Sequence, residues 1–377
     1  MVRTAIGLMS GTSIDGIDAA LMRTDGVNAI DTVETLSFPY GREMKVWVQR
    51  AVKAALEGRD GAADVGKAAG EITLAHVEAV KALIAKAKLT PAEIDIVGFH
   101  GQTILHRPAQ NLQATGRTWQ IGDGAALASE VEIDVVGDFR SADVAAGGEG
   151  APFAPVYHAA LVRKLTEKEG DSAPVAVLNL GGVANVTFVP EGGDETEMLA
   201  FDCGPGNGLI DEWVALKTGA AMDEDGALAK RGEVRSDILR DMLLAPYLRR
   251  KPPKSLDRYD FKIDPVLPLS TADGAATLTA FSAACVRMSE KHFPEPPSRW
   301  IVCGGGRRNG AMMEALRQAV EAPVLTAEDV GWRGDDLEAE CFAYLAVRSL
   351  EGLPLSFPKT TRAPHAMNGG VHYPARR

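Results

Sequence analysis

The chain has 377 residues, 46% of them hydrophobic and 24% charged, and a formal net charge of -11. It is long enough for two cores of ordinary size. Its acidic balance argues against a nucleic-acid partner, whose phosphates call for basic surface. No apolar run reaches bilayer-crossing length, so no membrane partner is expected, and the N-terminal MVRTAIGLMSGTS lacks the apolar stretch and cleavage site of a secretory signal. The four cysteines, Cys203, Cys285, Cys303 and Cys341, form no Cys-x-x-Cys pair, which argues against zinc or a disulfide framework and for a reducing cytoplasm.

The chain opens with an apolar run, Thr4 to Met9, then the turn-rich SGTSIDG and a second run, IDAALM. The pattern predicts strand, glycine turn, strand. Apolar spacing predicts helices over 41–57 and 67–88. Strands are expected at 94–101 and 131–139, and a second hairpin at 175–189, VAVLNLGGVANVTFV. A strand then leads to FDCGPGN (201–207), with a helix from GLIDEW onward. The proline-rich, charged stretch 246–268 reads as a long excursion, a substrate lid or a dimer contact. A long helix is expected over 269–292, then the strand WIVCGGG, a helix over NGAMMEALRQAV, a last helix at 335–351 and an irregular tail after Pro358. The two hairpins suggest two related α/β domains facing one another across a cleft, assigned here to 1–133 with 355–377 and to 134–354.

Several common nucleotide and hydrolase signatures are missing: the P-loop, G-x-G-x-x-G, H-E-x-x-H and G-x-S-x-G. Glycine turns of the phosphate-gripping kind are present. In SGTSIDGID, Gly11 and Gly16 let backbone N–H groups approach an anion, and Thr12 and Ser13 add hydroxyl donors. Asp15 and Asp18 either hold a hydrated Mg²⁺ or satisfy the turn's own backbone. LNLGGVAN repeats the chemistry with Gly181, Gly182 and Asn185, and Gly304, Gly305 and Gly306 of CGGGRRN lie between a strand and a helix, where an N-terminus faces an anion. Asp202 closes a strand beside Gly-Pro-Gly, a place for a general base or a turn cap. His100 in HGQT is either a sugar ligand or, as a lone loop histidine more often is, a structural residue, with Gln102 and Thr103 in the same loop. Arg140 either clamps a carboxylate or pairs with Asp138 or Asp143. By spacing alone Glu338 is a solvated helical glutamate.

In order, GLMSGTSIDGID, GFHGQT, QIGD, VVGDFRSADVAAGGEGAP, LNLGGVAN, FDCGPGNGLIDEW, CGGGRRN and GDDLEAECFAYLA closely resemble the anhydro-N-acetylmuramic acid kinase family, from residue 7 to about residue 347. The resemblance implies an α/β fold of two actin/Hsp70/hexokinase-like (ribonuclease H-like) domains, ATP with Mg²⁺, a homodimer, and the substrate 1,6-anhydro-N-acetylmuramic acid in cell-wall recycling. It implies that residues 11–18, Ile14 and Ile17 among them, form the phosphate loop. Asp202 matches the catalytic carboxylate and Glu338 a glutamate supporting the substrate site, while Thr103 and Arg140 fall in segments lining the sugar pocket. Two departures stand out. Glu149 replaces the family's usual glutamine in GGQGAP, adding a charge near the expected pocket, and KSLDRYDF (254–261) replaces a KSTGRE-type segment. An ordinary sugar kinase, or a non-catalytic ATP-driven binding protein of the same architecture, remains the alternative; Asp202 and the HGQT loop favour the enzyme.

Overall fold

The computed structural model describes residues 1–11, 13–107, 116–256 and 260–375. In chain order the first elements are β1 (Arg3–Ser10), β2 (Gly16–Thr24), β3 (Ile30–Pro39), α1 (Arg42–Leu56), α2 (Ala63–Ala87), β4 (Ile96–Arg107) and β5 (Arg117–Ile121). Next come α3 (Gly124–Val131), β6 (Val135–Gly137), α4 (Ser141–Ala145), α5 (Ala154–Glu169), β7 (Val175–Leu180), β8 (Val183–Val189) and β9 (Leu199–Pro205). The remainder is α6 (Gly208–Thr218), α7 (Ser236–Met242), α8 (Thr271–Ser289), β10 (Arg299–Cys303), α9 (Gly310–Ala319), β11 (Val324–Thr326), α10 (Leu337–Leu350), α11 (Pro358–Thr361) and β12 (Val371–Tyr373).

These elements form two compact units, Met1–Lys164 with Asp336–Arg377, and Leu165–Asp335. The first sheet runs β12-β6-β4-β1-β2-β3 with β5 beside β4, and the second runs β11-β10-β7-β8-β9. In each unit the first strand has an antiparallel hairpin partner on one side, β2 on β1 and β8 on β7. A third antiparallel strand follows outward, β3 or β9. On the other side lie two parallel strands, β4 and β6 or β10 and β11. The units therefore share one topology, that of the ribonuclease H-like domains of the actin/hexokinase fold. Both hairpins fall where the alternation of apolar runs and glycine turns places them.

The division of the chain differs from the expected one. Segment 134–164 and segment 336–354 belong to the first unit. The reasons are specific: β6 pairs in parallel with β4, and α10 packs on β1, β2 and β4. That packing is close enough to demand glycine. A Cβ on Gly7 of β1 would lie 1.9 Å from the Ala339 carbonyl oxygen, and one on Gly98 of β4 would lie 2.1 Å from that of Phe342. The two glycines and the alanines of α10 thus fix where Glu338 begins that helix. The opposite face of the sheet is covered by α1, α2 and α3 through Val48, Ala54, Ile72, Leu83 and Leu127. The tail is more regular than expected, because β12 pairs antiparallel with β6. Between 131 and 139 only Val135–Gly137 is strand.

In the second unit α8 runs through the core, burying Leu278, Phe281, Cys285 and Val286 together with Trp213 of α6 and Phe201 of β9. Among the described residues of the excursion at 246–268 the regular structure is two short 3-10 turns, and the segment packs along β9 at Asp202, which lies in the middle of that strand and not at its end as expected. Among the described residues no helix is long and apolar enough to cross a membrane.

Candidate functional site

In the first unit the β1–β2 turn holds Gly11, Ser13, Ile14, Asp15 and Gly16, with Ile17 and Asp18 inside β2; Thr12 lies outside the described residues. Ile14 takes a left-handed backbone, φ 57°, and its N–H donates to the Gly11 carbonyl at 3.2 Å. The turn is tied to the HGQT segment: the Gln102 amide donates to the Gly11 carbonyl at 2.9 Å. Ser13 donates to Asp15 at 2.7 Å and Ser37 donates to Asp18 at 2.6 Å. Asp15 and Asp18 offer carboxylate oxygens, hard donors of the kind Mg²⁺ accepts, each already accepting from a serine hydroxyl; among the described residues no group of three or more His, Cys, Asp or Glu side chains gathers as a metal site.

His100 and Arg140 come together, in a pairing the sequence did not suggest. His100 is buried, and its Nδ1 faces the Gly101 carbonyl at 2.7 Å. Arg140 donates to His100 Nε2 from Nε at 3.2 Å and from Nη2 at 3.0 Å. Those contacts require a neutral imidazole protonated on Nδ1. Burial, with the Arg140 charge second, holds the imidazole well below the usual histidine range. Both ring nitrogens are thus engaged inside the protein, so the ligand reading gives way to the structural one and His100 orients Arg140. Arg140 also donates from Nη1 to the Gly150 carbonyl at 2.6 Å. Burial lowers its pKa to about 10, and the nearby charge of Glu338 opposes that shift. Glu338 is exposed in the first turn of α10. Thr103 is half-buried and accepts a hydrogen bond from Gln120 at 3.1 Å.

Glu149 is buried, and its carboxylate pairs with Arg362. The added negative charge therefore has a cation of its own, from a tail position the sequence reading passed over. Asp143, equally buried, accepts from the Gly150 N–H and from the Thr361 hydroxyl, each at 2.7 Å. The glycine-rich loop after Arg140 is thereby pinned to α11. Among the described residues Asp143 and Arg140 form no ion pair; Asp143 acts on the arginine through a weaker field.

In the second unit three of the sequence motifs become one structure. The N–H groups of Gly206 and Gly208 donate to the Gly182 carbonyl at 3.1 and 3.0 Å, and that of Asn207 donates to the Gly181 carbonyl at 2.8 Å. A Cβ on Gly206 would sit 2.3 Å from the Gly181 oxygen, so the Gly-Pro-Gly turn needs glycine in order to dock. The triple-glycine loop joins them: a Cβ on Gly306 would be 2.6 Å from the Asn207 amide nitrogen. Gly304 has φ 75° and lies against Asn179, while Gly305 is exposed. Arg307 beneath the loop donates to the Gly304 carbonyl at 2.9 Å and pairs with Glu328 at 2.7 Å and Asp335 at 2.9 Å.

Asp202 stands beside this assembly. The register sets it opposite Asn185, and Asn185 opposite Asn179. Its Oδ2 accepts from the Leu256 N–H at 2.7 Å. Its own N–H donates to the Lys254 carbonyl at 3.0 Å, and its carbonyl accepts from the Tyr247 hydroxyl at 2.9 Å. One edge of the residue stays exposed. Burial pushes the carboxyl up to about 7, against the pull of the Leu256 N–H and the Lys254 charge. A carboxylate poised near neutrality, with one oxygen anchored, suits a general base. Lys254, Tyr247 and Leu256 escaped the sequence reading because their role depends on the return of the 246–256 segment to β9. Of KSLDRYDF, residues 257–259 lie outside the described residues.

Comparison with known proteins agrees with this picture. A sequence model described as anhydro-N-acetylmuramic acid kinase matches residues 3–375. An anhydro-N-acetylmuramic acid kinase of Rhodospirillum rubrum is 50% identical over 371 residues, 98% of this chain and 94% of that protein. One from Zymomonas mobilis is 48% identical over 377 residues, 98% of this chain and 99% of that protein. Among solved structures, a component of (R)-2-hydroxyglutaryl-CoA dehydratase from Acidaminococcus fermentans aligns with TM-score 0.48 at 10% identity, covering 93% of this chain and 99% of that one.

Proposed function

The chain belongs to the anhydro-N-acetylmuramic acid kinase family, and from that premise we propose how its residues divide the work of a kinase that phosphorylates 1,6-anhydro-N-acetylmuramic acid in peptidoglycan recycling. The phosphoryl donor is ATP. The 11–18 turn of the first unit and, in the second, the Gly181–Gly182 and Gly304–Gly306 turns are each glycine-rich segments of the kind whose backbone suits a phosphate anion. Asp15 and Asp18 would hold Mg²⁺, which supplies charge neutralisation on the phosphates when bound. Arg140, oriented by His100, takes the sugar's carboxylate, and Thr103 and Glu338 contribute to the sugar site.

The reaction needs an unusual base. The sugar's O6 is tied into an ether with C1 and carries no proton, so the base has water as its target. Asp202 takes a proton from water while the water oxygen bonds to C1. The C1–O6 bond breaks, O6 bonds to the γ-phosphorus, and the bond from that phosphorus to the ADP oxygen breaks. One carboxylate suffices because phosphorus captures the leaving oxygen, in contrast to the acid–base pair of most glycosidases. The single observation carrying this assignment is the Asp202 carboxyl, in the middle of β9, its pKa raised by burial to about 7 with one oxygen anchored by Leu256. Four buried free cysteines suit a cytoplasmic setting, and a homodimer belongs to the same reading.

Asp202→Asn keeps the shape and removes the basicity. Turnover should fall by at least roughly 10²-fold, the lower range for general-base catalysis, while calorimetry still registers both substrates. Near-normal turnover would remove Asp202 from the role.

A further inference from the structure

A group with no assigned part in the reaction lies beneath Asp202. Lys254 is buried, only 5% exposed, although an ammonium is rarely found inside a protein without a carboxylate in contact. Its Nζ lies 4.6 Å from the centre of the Tyr247 ring and 5.6 Å from that of Phe201. It donates one hydrogen bond, at 3.3 Å, to the Tyr247 carbonyl. Aromatic faces and a carbonyl hold a cation in place without neutralising it. The charge is thus kept whole, next to the strand residue that carries the carboxylate.

The same segment holds Asp202 mechanically. The Lys254 carbonyl accepts the Asp202 N–H, the Leu256 N–H donates to the Asp202 carboxylate, and the Tyr247 hydroxyl donates to the Asp202 carbonyl. The lysine that anchors residues 247–256 to the rings therefore anchors the backbone clamp on Asp202 as well. Resting on the assignment of Asp202 as base, we propose that Lys254 is a positioning residue of the reaction: its side chain holds the segment that orients the carboxylate, and its buried charge favours the carboxylate form.

The surroundings support the sign. Lys254 opposes the upward push of burial on Asp202. Burial also lowers Lys254, to about 8, with Lys291 and Arg250 adding to the shift. His292, from the turn after α8, is held to about 4 by burial and by Lys254, Lys291 and Lys251, so it is neutral here. The thiols of Cys203 on β9 and Cys285 on α8 are pushed up to about 12 and beyond, and both stay protonated. Lys291 donates to the Leu248 carbonyl at 2.9 Å and is not among the charges that shift Asp202. Lys254 is the cation that acts on Asp202 directly.

The test compares Lys254→Met, which keeps length and apolar contacts, with Lys254→Arg, which keeps charge. An opposite charge nearby lowers a carboxyl by about one unit. Lys254→Met should therefore shift the acidic limb of the kcat/KM profile upward by about one unit, costing about tenfold at pH 6 and far less at pH 9. KM for the anhydro sugar should stay near wild type, and Lys254→Arg should restore the limb. Carbon-13 titration of aspartate carboxyls, with Asp202 assigned by its loss in Asp202→Asn, reads the same shift without catalysis. If Lys254→Met does not fold, Lys254→Gln takes its place. An Asp202 titration that does not move, or a loss of the same factor at every pH, would overturn the proposal for Lys254. A titration that moves while the rate profile does not would overturn Asp202 as base and leave the coupling of the two groups standing.

Discussion

Asp202→Asn should stabilise the fold, and increasingly so as pH rises. The carboxyl moves from 3.8 in an open chain to about 7 in the folded protein. Between those values the folded state holds a proton that the unfolded state has released, so stability falls with rising pH. It is fully retained below about pH 4 and reduced by a constant amount above about pH 7. Each unit is about 1.36 kcal/mol, so raising pH from 5 to 7.5 costs wild type about 2.7 kcal/mol at most. The exposed edge of Asp202 lowers that figure through solvent screening, leaving about 1–3 kcal/mol. Asparagine still accepts the Leu256 N–H and does not ionise, so it escapes the whole term. Urea unfolding of both proteins at pH 5 and pH 7.5 measures the difference directly. The gap between variant and wild type should widen by about that amount at the higher pH. A gap that is the same at both values would show that Asp202 is an ordinary ionised carboxylate, and the argument for a base poised near neutrality would fail.

The two glycines of the first turn should separate by phenotype. A side chain at Gly11 meets nothing nearer than Ser13 Oγ at 3.6 Å, whereas one at Gly16 would lie 2.6 Å from the Phe38 carbonyl oxygen. Gly11→Val should fold with an unchanged Tm and lose ATP affinity by calorimetry, while Gly16→Ala should lower Tm; intact ATP binding in folded Gly11→Val would remove the phosphate-loop role. Glu149→Gln should keep or improve the apparent sugar affinity, because the charge it removes is already matched by Arg362. Its stability cost should be small, about 1 kcal/mol, because Arg362 is partly exposed and regains water. A large loss of affinity would place Glu149 on the sugar itself.

The features readable from the sequence are those built from neighbours along the chain. The β1–β2 and β7–β8 hairpins each need only two apolar runs and a glycine turn, and both register as expected. The helix α10 was legible by its spacing, but its membership of the first unit was not. That depends on Gly7 and Gly98, which a linear reading sees as ordinary strand glycines. The three-residue β12 carries too little pattern to announce itself; its partner β6 lies over 230 residues upstream. In the site, Asp202 was legible from its turn, whereas Lys254 and Leu256 reach it only because the proline-rich excursion folds back. His100 was noticed as a histidine in a polar loop, but the sequence left its ligand and structural readings open, because burial and the Arg140 contacts are tertiary facts. Glu149 looked like an unmatched charge until Arg362 came to meet it from the tail.

The most direct test of the mechanism is the fate of the water oxygen. With 1,6-anhydro-N-acetylmuramic acid and ATP turned over in ¹⁸O-water and quenched before the free anomeric hydroxyl exchanges, mass spectrometry locates the label in the sugar 6-phosphate. Water attack at C1 with phosphoryl capture by O6 predicts one ¹⁸O on C1 and none in the transferred phosphoryl group. Label in the phosphoryl group, or none on C1, would contradict water activation by Asp202.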